Sequence, residues 1–421
     1  MIQTAHIADE PVAREERILS LDLLRGIAVL GILLANVTAF GHPDLAYYWP
    51  GALPGGGTAG DRIVWLVQFV LVDGKFRGLF TILFGAGLVL FVERAGASES
   101  AVWLRARRLC WLALFGLAHL FLLFRGDILF SYACAGIVAL FAVSMPGRTA
   151  LTIGIAWALA GAAMQFPVYG TGLLLDIYPG AVGQETAGVY REFQATRVQD
   201  AEQMREVFGA GSYSEIVNFR WLDKAPGLAE DFIANFYDTI PLMLVGMGFY
   251  RLGVFDTSVG HFSTRAWAMA AFLVGLAGNL AAGLFALHHG LTLYVTQFVF
   301  FVASPLANIP MLVGGIYLLA LWARKPRDNW LTMRLAAAGR MAFSNYIGTS
   351  AVMMLIFQGW AGGLFGQLHK VELLVPLALG WGLMLAWSVP WLRFFRHGPL
   401  EWLWRCLTYW RLFPMRRDPV N

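Results

Sequence analysis

An all-α, polytopic integral membrane protein of about ten spans, with both ends on the inner side and one extracytoplasmic helical insertion, is the fold this chain predicts. Three observations predict it. Hydrophobic residues fill 58% of the 421 positions and charged residues only 14%, whereas an ordinary globular domain is roughly a quarter charged. Apolar segments recur along almost the whole chain, near the roughly 20 residues a helix needs to cross hydrocarbon. Basic residues gather in alternate connections, the asymmetry that orients spans in a bilayer.

The expected spans are 19–41, 64–92, 109–124, 128–145, 149–168, 232–250, 266–288, 292–322, 340–361 and 372–394. The first follows a polar stretch and lacks a small-residue cleavage site, so it reads as a retained span. The second contains Asp73-Gly74-Lys75-Phe76-Arg77-Gly78 and is expected to be broken or partly interfacial. The eighth carries Pro305 and Pro310, which predict a kink or a re-entrant start.

With the N-terminus inside, the inner segments hold Arg14 and Arg17; Arg94, Arg105, Arg107 and Arg108; Arg148; Arg251 and Arg265; Arg324, Lys325, Arg327 and Arg334; and Arg396, Arg411, Arg416 and Arg417. The short outer segments 42–61 and 362–370 contribute Lys370. The chain divides into an N-terminal membrane half (1–168), a hydrophilic insertion (169–231) and a C-terminal membrane half with a basic tail (232–421). The insertion is expected to be helical and outside, either covering a cavity mouth or forming a solvated loop.

A net charge of +4 fits basic inner loops, so no nucleic-acid partner is expected. Cys110, Cys134 and Cys406 form neither a disulfide framework nor a metal motif, and no metal is expected. Phosphate-loop, dinucleotide and zinc-protease motifs do not occur.

Ionisable groups within spans are costly and point to function by default. Asp22 and Arg25 share a helix face and can pair. Asn36 lies eleven residues beyond Arg25, almost three turns and about 16 Å deeper on the same face. The third span repeats the spacing with Arg108 and His119. Two cations at the inner lip, each with a polar group three turns deeper, suit a ligand with an anionic head and a buried reactive end. Alternatively, the arginines orient the spans and snorkel to lipid phosphates, and His119 is a buried, hydrogen-bonded histidine. Asp127 either orients His119 or caps the next helix. Lys75 and Arg77 stand at the break as further cavity candidates. Arg340, Ser344, Asn345 and Tyr346 crowd the start of the ninth span, and Glu401 and Arg405 are spaced to pair within an interfacial helix.

The segments RILSLDLLRGIAVLGILLAN (17–36), DGKFRGLFTILFGAG (73–87), RRLCWLALFGLAHLFLLFRGDILFSYACAGI (107–137), GRMAFSNYI (339–347) and GPLEWLWRCLTY (398–409) together resemble the bacterial YeiB-like membrane proteins. More distantly the chain resembles the transmembrane acyltransferase superfamily, which includes heparan-α-glucosaminide N-acetyltransferase. The shared Asp-x-x-Arg-Gly signature is matched by Asp22, Arg25 and Gly26, and the deep asparagine of the glucosaminide branch by Asn36. Where the O-acetylating branch carries a deep histidine, this chain has Asn36. The nearest histidine to the glucosaminide pattern is His42, at a shorter spacing, which moves the base to His119.

The resemblance implies an acyltransferase of the bacterial cytoplasmic membrane. It would use acyl-CoA, acetyl-CoA foremost, and a small-molecule, glycan or lipid acceptor, among membrane lipids and with a homo-oligomer allowed. Asp22, Arg25, Arg108, Arg340, Asn345, Tyr346 and Arg405 would bind the cofactor. His119, oriented by Asp127, would be the base, and Asn36 would donate to the oxyanion. Two other readings stay open: a transporter or lipid-handling protein without acyl transfer, and a catalytically inert assembly partner.

Overall fold

The structure, a computed structural model, describes residues 19–95, 99–255, 262–323 and 329–417. Arg14, Arg17, Arg324, Lys325 and Arg327, counted above among the inner basic residues, lie outside the described residues.

The chain is an all-α polytopic membrane protein. The described residues contain no strand, only an isolated bridge between Phe395 and Arg416. The first half runs through α1 (Leu19–Gly41), α2 (Leu45–Tyr48), α3 (Ala59–Leu71), α4 (Lys75–Ala95), α5 (Glu99–Ala118), α6 (Leu129–Ala139) and α7 (Gly147–Met164). The insertion follows as α8 (Phe166–Ile177), α9 (Gln184–Ala210) and α10 (Tyr213–Tyr237). The second half comprises α11 (Thr239–Arg251), α12 (Phe262–His288), α13 (Leu293–Phe298), α14 (Ser304–Ala323), α15 (Trp330–Arg340), α16 (Ala342–Phe357), α17 (Leu374–Phe394) and α18 (Pro399–Tyr409).

Each of the ten expected spans contains helix, but not every one crosses by length alone. Among the described residues, six helical segments are long and apolar enough, or seven if α7 and α8, bent by 40°, count as one. Three expected spans come out shorter. Residues Leu129–Ala142 and α16 are short apolar helices, and α11 has 13 residues. These can be short because protein surrounds them: every residue of α11 from Thr239 to Phe249 is buried.

The second expected span breaks at Gly74, whose φ of 77° is a left-handed conformation that glycine adopts without steric cost. The eighth is interrupted by a π-helical turn, Val299–Ala303, before Pro305.

Close helix crossings are built on glycine. A Cβ added at Gly26 of α1 would fall 1.9 Å from the Leu335 carbonyl oxygen, and one at Gly339 of α15 would fall 1.8 Å from that of Asp22. The glycine of the Asp-x-x-Arg-Gly signature therefore lets α1 and α15 touch backbone to backbone, as small residues do between membrane helices. Gly85 of α4 and Gly246 of α11 make the same reciprocal contact with Met243 and Ile82.

The largest core cluster joins Val29, Leu33 and Phe40 of α1, Leu112 of α5, Phe343 and Tyr346 of α16, and Phe208 and Ile216 of the insertion. The insertion thus packs onto the same core as α5 and α16.

Candidate functional site

Helix α5 carries the central line of the site. It ends in a π-helical turn, His119–Leu123, a departure from α geometry often found at functional sites. The turn presents His119, only 1% exposed. Its Nδ1 lies 2.8 Å from Asp127 Oδ1. The other Asp127 oxygen, Oδ2, accepts the Phe130 amide at 2.7 Å at the start of α6. Both expected roles of Asp127 are thus filled by one side chain, with an oxygen for each.

His119 Nε2 is buried without a hydrogen-bond partner among the described residues, and so is the Tyr346 hydroxyl. The two rings lie 4.8 Å apart. Two adjacent buried polar atoms left unpaired are costly, and a substrate with its own polar atoms would satisfy both.

The Asn36 side chain makes no hydrogen bond among the described residues and is half-buried. It stands one turn before Phe40, whose ring stacks on Phe124 at 3.8 Å, and Phe124 is 6.1 Å from the His119 ring.

Three turns back along α5, the Arg108 guanidinium lies 4.4 Å from the Phe91 ring and 4.2 Å from the Trp404 ring. The Trp404 indole donates to the Arg108 carbonyl at 2.9 Å. Arg25 and Arg405 stand close enough to Arg108 to repel it. Arg25 pairs with Asp22 at 3.2 Å and reaches α4 at Gly87, where an added Cβ would lie 3.7 Å from its Nη2. Arg405 contacts His397 Nε2 at 2.6 Å. Three arginines from α1, α5 and α18 therefore converge at one end of the bundle. Such a cluster binds anions readily, because guanidinium groups make strong charge-assisted bonds to phosphate.

Between the two ends, α5 runs beside α16 and α18 as a ladder of side chains. Arg108 faces Trp404, Phe115 faces Phe343 at 5.3 Å, and His119 faces Tyr346.

Asn345, Lys75 and Arg77 have partners away from this line, whereas Arg340 stands at the crossing of α15 with the Asp22–Gly26 stretch of α1. Arg340 closes α15 beside the Gly339 crossing. Asn345 spends its amide on packing: it donates to Ala338 O and Ser388 Oγ and accepts from the Trp387 indole. Lys75 is buried elsewhere and donates to Phe69 O at 2.6 Å and Asn279 Oδ1 at 2.9 Å. Arg77 pairs with Asp238. The expected Glu401–Arg405 pair does not form. Glu401 instead accepts the Phe343 amide at 2.8 Å, the Ser344 amide at 3.1 Å and the Ser344 hydroxyl, because α16 begins beside α18 with unsatisfied N–H groups. Burial pushes the Glu401 carboxyl above its ordinary range, and these hydrogen bonds pull it back. Replacing Glu401 with alanine should cost roughly 0.5–2 kcal/mol, read as a lower unfolding temperature in detergent. An unchanged temperature would mean that α16 does not depend on this cap.

His42 competes poorly as a base. It is fully buried, no carboxylate among the described residues hydrogen-bonds its ring, and burial, then Lys370, lowers its pKa to about 4. General bases work best with a pKa near the operating pH. Tyr346 shows in the sequence within the polar crowd at the start of the ninth span, but the aromatic wall around it shows only in the four-residue spacing of Phe115 and His119.

Residues 249–411 match the family described as protein of unknown function (DUF418). The chain is similar to the uncharacterized protein YxaH of Bacillus subtilis (strain 168), at 29% identity over 95% of this chain and 96% of the relative. It is also similar to the uncharacterized protein YeiB of Escherichia coli (strain K12), at 30% identity over 93% of this chain and 96% of the relative. No solved structure matches it.

Proposed function

Since the chain belongs to the YeiB-like family of membrane proteins, we propose from its own residues that it is a membrane-embedded acyltransferase. It moves an acyl group, acetyl foremost, from acyl-CoA to a hydroxyl or amine acceptor at or across the bacterial cytoplasmic membrane. One observation carries this: a single face of α5 joins the arginine cluster at Arg108 to the His119–Asp127 pair. The eleven residues between them span about 16 Å, a separation suited to the pantetheine arm between phosphates and thioester.

In this reading Arg25, Arg108 and Arg405 hold the CoA phosphates on the cytoplasmic side. Asp127 holds a proton on His119 Nδ1 and leaves the Nε2 lone pair facing the acceptor. The acceptor oxygen or nitrogen attacks the thioester carbonyl as its proton passes to Nε2. The Tyr346 hydroxyl and the Asn36 amide donate to the carbonyl oxygen as it gains charge. The carbon–sulfur bond then breaks, and the leaving thiolate takes the proton from the imidazolium. The products are acylated acceptor and free CoA.

Titration of purified protein with acetyl-CoA tests the binding half. Saturable binding is expected, weakened about tenfold or more in Arg108→Ala by loss of a charge-assisted bond. No binding, or equal binding in wild type and variant, overturns the proposal.

A second reading, transport without chemistry, is favoured by the α3–α4 break. There Lys75, Asn279, Ser304 and Asn308 form a buried hydrogen-bonded cluster beside the π-helical turn of residues 299–303, and broken helices mark many transporter sites. Uptake of an anion into proteoliposomes without acyl-CoA, abolished in Lys75→Met, is the result that would favour it.

A further inference from the structure

The end of the bundle away from Arg25, Arg108 and Arg405 holds a further two arginines. Arg220, on α10, is 2% exposed. Its Nη1 donates to Phe121 O at 3.3 Å, and Phe121 belongs to the π-helical turn that carries His119. Its Nε has no hydrogen-bond partner among the described residues. Arg125 is 6% exposed and sits just beyond that turn. Both guanidinium carbons lie 5.3 Å from the centroid of the same Phe208 ring.

The charges do not balance. Arg125 donates to Asp44 Oδ1 at 2.5 Å and to His42 O at 2.7 Å. Arg220 has no carboxylate partner among the described residues: the groups that face it electrostatically are Arg125, which repels it, and Tyr213. Burial, reinforced by Arg125, lowers its pKa to about 10, so it stays charged at neutral pH. A buried cation without a counter-ion is strongly unfavourable. An oxyanion placed beside Arg220 would remove that penalty and fill the open Nε bond. Trp221, the next residue, packs on Phe121 at 4.6 Å and is 56% exposed, so the cation adjoins accessible apolar surface.

We propose that Arg220 and Arg125 form an oxyanion-binding site that holds the phosphate or carboxylate group of the acceptor next to the His119 turn. The identity of the ligand as acceptor rests on the acyl-transfer reading; the site itself rests on the unpaired cation.

The test is thermal unfolding of the full-length protein in neutral detergent, without acyl-CoA, against two probes. One is inorganic phosphate; the other is mixed micelles containing phosphatidylglycerol, compared with phosphatidylcholine. A saturable rise in unfolding temperature with at least one anionic probe is expected. A response to phosphate points to a soluble acceptor, and a response to phosphatidylglycerol alone points to a lipid-linked one. Measured in an Arg25→Met/Arg108→Met background, which disables the other arginine cluster, the rise should persist with Arg220 present, be reduced when Arg220→Lys is added and vanish when Arg220→Met is added. Without ligand, Arg220→Met should unfold no lower than wild type, because it removes an uncompensated charge. No shift with either probe, or an equal shift when Arg220→Met is added to that background, overturns the site. Because acyl-CoA is absent, failure of acyl transfer leaves this result untouched, and failure of anion binding leaves the acetyl-CoA titration untouched.

Discussion

Replacing His119 with alanine is expected to reduce acyl transfer about 10²–10⁴-fold, the usual contribution of a positioned general base, while acetyl-CoA binding stays intact. The split follows from geometry. His119 lies three turns from Arg108, so its loss leaves the arginine cluster untouched, and the only hydrogen bond of its side chain among the described residues is to Asp127. Asp127→Asn should also lose most transfer, because an amide can present a donor to Nδ1 and turn the ring tautomer the wrong way. It also weakens the Phe130 cap, so its unfolding temperature should fall, whereas that of Asp127→Glu should fall less. Tyr346→Phe separates the oxyanion role from packing: the ring stays beside His119 and only an unpaired hydroxyl is removed. A lower turnover with unchanged acetyl-CoA affinity is expected. Full transfer by His119→Ala protein would remove it as the base.

Replacing Gly339 with valine should have the largest effect on stability. Even a single Cβ would stand 1.8 Å from the Asp22 carbonyl oxygen, and that neighbour is backbone, which cannot rotate away. Helices α1 and α15 would have to separate. Overpacking usually costs about 1–3 kcal/mol and occasionally more; a clash between two backbones belongs at the upper end. Little folded protein should be recovered from Gly339→Val, and Gly339→Ala should unfold at a lower temperature than wild type. The same shift would displace Arg25, one residue before Gly26, so acetyl-CoA binding by Gly339→Ala should weaken as well. Gly348→Ala on α16 is the control. Nothing lies within 4 Å of its added Cβ, and Gly-to-Ala changes at compatible positions stabilise by about 0.4–1 kcal/mol.

The membrane class, the break at Gly74 and the Asp22–Arg25 pair were legible in the sequence because each depends on local composition or on spacing along one helix. The alignment of Arg108 with His119 was legible for the same reason. What crosses between helices was not. Glu401 is spaced to pair with Arg405, but its carboxylate is taken by the N-terminus of α16, where Ser344 lies 57 residues away from it in the chain. The place of Asn345 at the start of the ninth span points to ligand binding, yet packing of α15, α16 and α17 uses its amide. Gly26 read as a signature residue; its contact with Leu335 and Gly339 explains why a side chain does not fit. Arg220 gave no sequence signal within the hydrophilic insertion, since only the fold buries it against Phe208.

The most direct test is a structure determined with a non-reactive acyl-CoA analogue bound. The predicted result is phosphate density within hydrogen-bond reach of Arg25 and Arg108, and the acyl carbonyl beside His119 Nε2 and the Tyr346 hydroxyl, with the arm running along α5. Density for the analogue elsewhere, or an acyl end that does not reach His119, would contradict the proposed site.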